Sequence, residues 1–361
     1  MKRLLTCCLV LLMLLCLAAC ASDKTIETTA PVPTTLPVPT ETTAPVATTE
    51  ATILPTTEPE EAGYVFLNVS QMHFSLVGES EDVYVGTAAR EDVSWESADE
   101  SVAIFENGVL TATGVGSTTV AARYGNQWVE CQVRCLAETE EELASLDDAV
   151  RRSPKRYPPE MGDVPMDYFE NVAIVGDSIS YIMFQWESLY NYLGDPVFMV
   201  RGGSSLNGIV RDYMQIYYKG QEARLEEAIL DAGVDKVFIM LGQNDLRYRT
   251  VEETMESWAI ILERIREKTP DAQVYIQSVI PEWLPTNSNN DRNIKIVQCN
   301  EELKAFAEEN SCHYVDIYRY VEDHTGRMAT AYTLDWTIHM NEAGCYAWMQ
   351  ALKAHALLEQ K

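Results

Sequence analysis

The sequence predicts an α/β domain, built on a five-stranded parallel sheet with helices on both faces, preceded by a small all-β sandwich. Three observations predict this. After residue 166, five short apolar runs alternate with helical stretches, the pattern of strands buried on both faces. Between residues 64 and 136, shorter alternating runs are separated by turn signals at close spacing, the pattern of a sandwich. Finally, 361 residues with 47% hydrophobic content can bury cores for about two domains, which excludes disorder of the whole chain.

The chain begins with Lys2 and Arg3, an apolar run from Leu4 to Leu17, and Leu17-Ala18-Ala19-Cys20. A charged start, a short apolar run and small residues make a signal peptide, and the run is too short for a membrane-spanning helix, which needs ~20 residues. Small residues directly before a Cys resemble a bacterial lipobox. That resemblance implies cleavage before Cys20, a diacylglycerol on its thiol, and an extracytoplasmic protein anchored in the cell membrane and facing outward. An ordinary cleaved signal with an incidental Cys is the alternative.

Lys and Arg number 27 against 55 Asp and Glu, a formal charge of −28, which becomes −30 once Lys2 and Arg3 are removed. Such an excess argues against nucleic acid or an anionic membrane surface as the main partner. Of the nine Cys, those beyond the signal and Cys20 are Cys131, Cys135, Cys299, Cys312 and Cys345. Five scattered Cys are weak evidence for a disulfide framework, and no spacing among them resembles a zinc site.

Residues 20–63 read as a stalk, with 13 Thr and 7 Pro between Lys24 and Glu60, a composition that favours extended conformers and forms no core. Residues 64–136 carry the alternating runs, among them Val83-Tyr84-Val85, Val93-Ser94-Trp95 and Val102-Ala103-Ile104-Phe105. The run Val93-Ser94-Trp95-Glu96-Ser97, then Ser101-Val102-Ala103, Asn107-Gly108-Val109-Leu110-Thr111-Ala112 and Gly114-Val115-Gly116-Ser117-Thr118-Thr119-Val120 resembles a bacterial immunoglobulin-like domain of the intimin and invasin type. Modules of that type are spacers or adhesive units, which implies contact with cell-surface or glycan components. Residues 137–165 read as an acidic helix followed by a Pro-containing linker.

In the last segment, 166–361, the strand-like runs are Val172–Val175, Val197–Val200, Val237–Leu241, Val274–Ile280 and Tyr314–Tyr318, and the clearest helices span 251–268, 294–310 and 341–358. Active sites of such sheets lie beyond the strand C-termini. The first strand ends in Gly176-Asp177-Ser178, where a Ser at the start of a helix has an exposed hydroxyl beside free N–H groups. Gly-Asp-Ser is also an ordinary turn and helix cap. The second strand ends in Arg201-Gly202-Gly203-Ser204-Ser205, where a Gly N–H can approach a ligand. The third ends in Gly242-Gln243-Asn244-Asp245, where an Asn amide can donate to an oxyanion. A Ser nucleophile needs a base. Among five His, His73 falls in the sandwich, His355 deep in the last helix, His313 before the fifth strand and His324 in what reads as a solvated turn, so His339 in Asp335-Trp336-Thr337-Ile338-His339 is the best placed.

These four blocks, in this order, resemble the SGNH hydrolases, also called GDSL esterases, from about Asp167 to Leu358. The neighbouring Ile276-Gln277-Ser278-Val279-Ile280-Pro281 and Asn300-Glu301-Glu302-Leu303-Lys304 resemble them too. The resemblance implies a flavodoxin-like three-layer sandwich and a serine esterase with Ser178 as nucleophile, for which no metal or cofactor is implied. It implies an oxyanion hole from the Ser178 N–H, Gly203 (Gly202 as fallback) and Asn244, with His339 as base and Asp335 as its orienting partner. It further implies an acylated small molecule or glycan as substrate.

One feature departs from the pattern: the family spaces the last pair Asp-x-x-His, whereas three residues separate Asp335 from His339. A one-residue bulge can restore the contact, or His339 can work in a dyad held by a backbone carbonyl. The shifted spacing motivates one alternative to hydrolysis, a non-catalytic glycan-binding adhesin; a second, an O-acyltransferase, keeps the same fold and nucleophile and passes the acyl group to another sugar.

Overall fold

The computed structural model describes residues 66–86, 92–106, 108–159, 166–189, 192–284 and 292–359. The expected signal, Cys20 and the stalk lie outside the described residues.

The first part is a unit of two sheets. Its strands are β1 (Gln71–Leu76), β2 (Ser80–Asp82), β3 (Ser94–Ser97), β4 (Ala103–Glu106), β5 (Val109–Ala112), β6 (Gly116–Tyr124) and β7 (Gln127–Ala137). Alternation decides which side chains go inward: Cys131, Val133 and Cys135 of β7 face a core shared with Phe74, Leu110 and Val120. Trp95 of β3 stacks on Phe105 of β4, with ring centroids 3.7 Å apart, joining the two sheets. Cys131 and Cys135 lie on one strand as free thiols, and burial pushes the Cys131 thiol up to about 12.

The chain then forms two short helices, α1 (Glu140–Ser145) and α2 (Asp148–Arg151), rather than one acidic helix. Thr139 caps α1 by accepting the Glu142 N–H. After α2 the connector does more than span a gap. Residues Arg156–Tyr157 form β8, which pairs antiparallel with β1, so that one sheet reads β3-β6-β7-β1-β8 and the other β2-β5-β4.

The second part contains β9 (Val172–Gly176), β10 (Val197–Val200), a hairpin of β11 (Ile216–Tyr218) and β12 (Gln221–Ala223), then β13 (Lys236–Met240), β14 (Gln273–Gln277) and β15 (His313–Val315). Its main sheet has the order β10-β9-β13-β14-β15 and every pairing in it is parallel. Counted along the chain that is 2-1-3-4-5, the doubly wound order in which ligands bind beside the first strand, where the connections reverse direction. Val172 to Val175 are at most 1% exposed, because each face of β9 is covered. Ile174, Phe238 and Tyr275 face one helical layer, and Ala173, Val175, Ile239 and Ile276 face the other.

The helices of this part are α3 (Ser178–Met183), α4 (Leu206–Val210), α5 (Leu225–Ala232), α6 (Val251–Lys268), α7 (Arg292–Glu309), α8 (Tyr318–Val321) and α9 (Glu342–Glu359). α6 has the limits its sequence predicts. Thr250 and Glu253 form a capping box at its start, and Trp258, Ile261, Leu262 and Ile265 make one buried stripe at helical spacing. Two strands are shorter than their apolar runs. β14 stops at Gln277 because the Ser278 N–H turns to the Val315 carbonyl and its hydroxyl accepts the Tyr318 N–H, which also ends β15 early.

The two-sheet unit is docked on the α/β part by polar contacts. Tyr320 donates its hydroxyl to the Asn68 carbonyl at 3.0 Å, and Glu81 pairs with both Arg156 and Arg319. His324 does not lie in a solvated turn. It is 7% exposed, its Nδ1 lies 3.0 Å from Ser75 Oγ of β1, and burial depresses its pKa to about 3. The Glu322-Asp323-His324-Thr325-Gly326 turn is polar because it faces the neighbouring unit.

Candidate active site

The strand register brings three loops to one edge. Gly176 stands beside Val200 on one side and Met240 on the other, so the segments that follow β9, β10 and β13 leave the sheet together. At Gly176 a Cβ would fall 2.0 Å from Ser180 Oγ and 3.0 Å from the Met240 carbonyl, which explains the glycine before the turn.

Ser178 is the first residue of α3, and Asp177 is the cap, its Oδ1 accepting the Ile179 N–H at 2.9 Å. A helix leaves its first N–H groups without intrahelical acceptors, so the Ser178 N–H is available beside its own hydroxyl. Ser178 Oγ lies 3.0 Å from His339 Nε2, within hydrogen-bond reach. His339 Nδ1 lies 2.5 Å from Asp335 Oδ2.

The extra residue between Asp335 and His339 is absorbed by backbone conformation. Trp336 has φ +59°, in the left-handed region that bulky residues seldom occupy, and this turns the chain so that Asp335 Oδ1 also accepts the Thr337 N–H at 2.9 Å and the His339 N–H at 3.3 Å. Thr333 Oγ1 accepts the Trp336 N–H, and a bridge between Thr333 and Met340 closes the loop. Burial opposes ionisation of Asp335, but hydrogen bonds from Thr337 and His339 outweigh it and hold the carboxyl below its ordinary value. The dyad held by a carbonyl is not what the chain adopts.

Asn244 sits between the other two loops. Its Nδ2 donates to Asp177 Oδ2 at 2.8 Å and to the Ser204 carbonyl at 2.9 Å. Asp177 is fully buried, and burial lifts its carboxyl to about 7 against the pull of the Ile179 hydrogen bond and of His339. Asp245 ties the second loop to the third by accepting the Leu206 and Asn207 N–H groups at 2.9 and 3.0 Å. Gly203 occupies φ +78° in a turn closed by the Ser204 N–H on the Arg201 carbonyl, and has open space where a Cβ would stand. Gly202 lies nearer the nucleophile, its notional Cβ 3.9 Å from Ser178 Cβ. Ser178, His339, Asp335, Asn244 and the Gly202–Gly203 turn therefore converge at the C-terminal edge of β9, β10 and β13.

Sequence reasoning passed over Asp177 as more than a turn residue, although its place between Gly176 and Ser178 was the signal for a cap. It also gave no reason for Asn300, whose amide pairs with both the N–H and the carbonyl of Val279 and fixes the segment after β14. Trp283 was not singled out. Its N–H donates to the Thr337 carbonyl at 2.6 Å and its ring meets Trp336 edge-on at 5.0 Å. Among the described residues no group of three or more His, Cys, Asp or Glu could hold a metal ion, and no helix is long and apolar enough to cross a membrane.

Residues 174–347 match the GDSL-like Lipase/Acylhydrolase family. Solved structures similar to the chain include a GDSL-like lipase from Bacteroides thetaiotaomicron, with 18% identity and TM-score 0.43 over 56% of this chain and 93% of that one. A putative acylhydrolase from Bacteroides fragilis has 19% identity and TM-score 0.42 over 52% and 86%. A carbohydrate esterase family 3 protein from Talaromyces cellulolyticus has 16% identity and TM-score 0.39 over 53% and 98%. Among curated proteins none matches. The match begins two residues into β9, takes in all four site blocks and ends inside the last helix, and the segment from residue 174 to residue 347 is a GDSL-like lipase/acylhydrolase domain.

Proposed function

We propose that the protein is a cell-surface serine esterase, anchored by a lipid on Cys20, that removes small acyl groups, acetyl above all, from carbohydrates. The observation that carries the reading is the line from Asp335 through His339 to Ser178, with contacts of 2.5 and 3.0 Å.

In this mechanism His339 Nε2 takes the proton of Ser178 Oγ as the oxygen bonds to the ester carbonyl carbon. Asp335 holds Nδ1 and stabilises the imidazolium. The carbonyl oxygen becomes an oxyanion, which accepts from the N–H of Ser178, the N–H of Gly203 and Asn244 Nδ2. Nδ2 is already committed to Asp177 and Ser204, so the oxyanion shares or replaces one of those contacts. Collapse breaks the bond to the alcohol oxygen, which leaves with the proton from His339. Water then attacks the acyl-enzyme, giving its proton to His339, and the carboxylic acid departs as Ser178 Oγ recovers a proton.

Three exposed rings support a carbohydrate substrate: Tyr181, one helical turn beyond Ser178, Tyr248, four residues after Asn244, and Trp336 inside the catalytic loop. Flat apolar faces beside polar groups suit sugar rings, and the acidic surface suits a neutral or cationic glycan better than a polyanion. The signal, stalk and Cys20 of the sequence support the outward-facing anchor, and the alternating strands of residues 64–136 support an immunoglobulin-like spacer that contacts surface or glycan components. Purified protein should release acetate from acetylated polysaccharides and label with a fluorophosphonate, and Ser178→Ala should abolish both. Unchanged acetate release by Ser178→Ala would overturn the mechanism.

A further inference from the structure

Arg152 follows α2 in the connector, 22 residues before the segment that matches the family, yet it is 3% exposed. Its Nε lies 2.6 Å from Asp323 Oδ2, a carboxyl that is itself fully buried. Nη1 donates to the Leu284 carbonyl at 2.6 Å and Nη2 to the Met328 carbonyl at 3.2 Å. The guanidinium carbon stands 5.0 Å from the centroid of the Trp283 ring, within cation–π range. One planar cation thus joins three points of the hydrolase domain, a task for which the single point charge of Lys is unsuited.

From Trp283 the contacts run on into the catalytic loop. Its backbone N–H donates to the Thr337 carbonyl at 2.6 Å, its indole Nε1 donates to Thr330 Oγ1 at 3.2 Å, and its ring meets Trp336. Thr337 donates its own N–H to Asp335 Oδ1 at 2.9 Å. Thr330 is held from the connector as well, its N–H donating to the Arg152 carbonyl at 3.0 Å. The loop with the strained Trp336 therefore leans on Trp283, and Trp283 leans on Arg152.

The geometry points to Arg152 as a positioning residue for the catalytic loop: acting through Trp283, this connector side chain fixes where Asp335 and His339 stand relative to Ser178, so that the α/β domain is not a complete esterase without the connector. A buried cation serving stability alone would need Asp323 and the carbonyls, but not the face of an indole whose backbone carries the loop. For turnover, though not for the placement of the loop, this rests on the esterase reading.

The test uses the full chain. Arg152→Met with Asp323→Asn removes the pair without leaving a buried charge alone, and Trp283→Leu cuts the link while leaving the pair intact, so that one informs if the other fails to fold. Each folded variant should lower kcat on an aryl acetate by about ten- to a hundredfold with KM little changed, the size expected for slight misplacement of reacting groups. Each should also broaden or shift the low-field proton resonance of His339 Nδ1, and Arg152→Lys should not restore either readout. A folded double variant, or a folded Trp283→Leu, with the wild-type kcat and the wild-type resonance overturns the role. If the wild type hydrolyses no ester while the resonance responds to the variants, the esterase reading fails and the positioning role stands.

Discussion

Asp335 Oδ2 lies 2.5 Å from His339 Nδ1 although the two residues are four positions apart, a contact made possible by the left-handed backbone of Trp336 between them. On the proposed mechanism, Asp335→Asn should leave the loop's backbone bonds largely in place and lower kcat by about a thousandfold or more, as loss of the orienting carboxylate does in serine triads. Steady-state kinetics on a small aryl acetate decide this. A loss of less than about tenfold would mean that His339 is oriented mainly by other groups.

Trp336 combines that conformation with an exposed ring, at 57%. Replacing it with Gly relieves the backbone, and replacing it with Val adds a cost of about 1–3 kcal/mol to the loop. Trp336→Gly should keep kcat on an aryl acetate within about threefold while kcat/KM on an acetylated oligosaccharide falls further. Trp336→Val should lower both, and the pair of substrates separates the ring's contribution from the backbone's.

Asn244 reaches Asp177 and the Ser204 carbonyl with the same amide nitrogen that would meet an oxyanion. Asn244→Ala should lower kcat by about a hundred- to a thousandfold with a smaller change in KM. It also leaves the buried Asp177 without its amide donor. Denaturant unfolding of Asn244→Ala beside Asn244→Asp shows how much of the loss is structural.

His324 is held neutral between the two folded parts, its pKa depressed to about 3 from 6.5. Between those values the unfolded chain binds the proton and the native one does not, so stability is present above about pH 6.5 and is lost as pH falls towards 3. His324→Gln should flatten the fall in denaturation midpoint between pH 6.5 and 4. The buried Asp177, raised to about 7, has the opposite sign. The native state keeps its proton where the unfolded chain has lost it, so its contribution declines as pH rises from about 4 to 7, and Asp177→Asn should remove that decline.

Much of this was legible in the sequence because it is local. Strand alternation, the Thr250–Glu253 cap and the position of Ser178 at the start of a helix are set by neighbours a few residues away. The strand ends at Gln277 and Val315 were not, since they depend on a bond between Ser278 and Tyr318, 40 residues apart. His324 reads as solvated for the same reason: its turn is polar by composition, and only the partner strand carrying Ser75 makes it buried. The spacing of Asp335 and His339 left two arrangements open because sequence does not state φ. Arg152 gave no signal at all, since the Arg151-Arg152 pair reads as surface charge until the distant partners of Arg152, Trp283 and Asp323, are in place.

The pairing of β1 sets an order of events during synthesis. This strand lies between β7 and β8, so its neighbours reach from residue 127 to residue 157, and it has an unpaired edge on each side until they emerge. Arg152 then waits for Asp323, some 170 residues later, before its charge is neutralised. Contacts of such long sequence separation form slowly and leave strand edges open to other chains in the meantime. A chain stopped before residue 323 would carry a finished first unit with a cation still seeking its partner, so nascent-chain arrest should find two folding steps, the later one arriving with the catalytic loop.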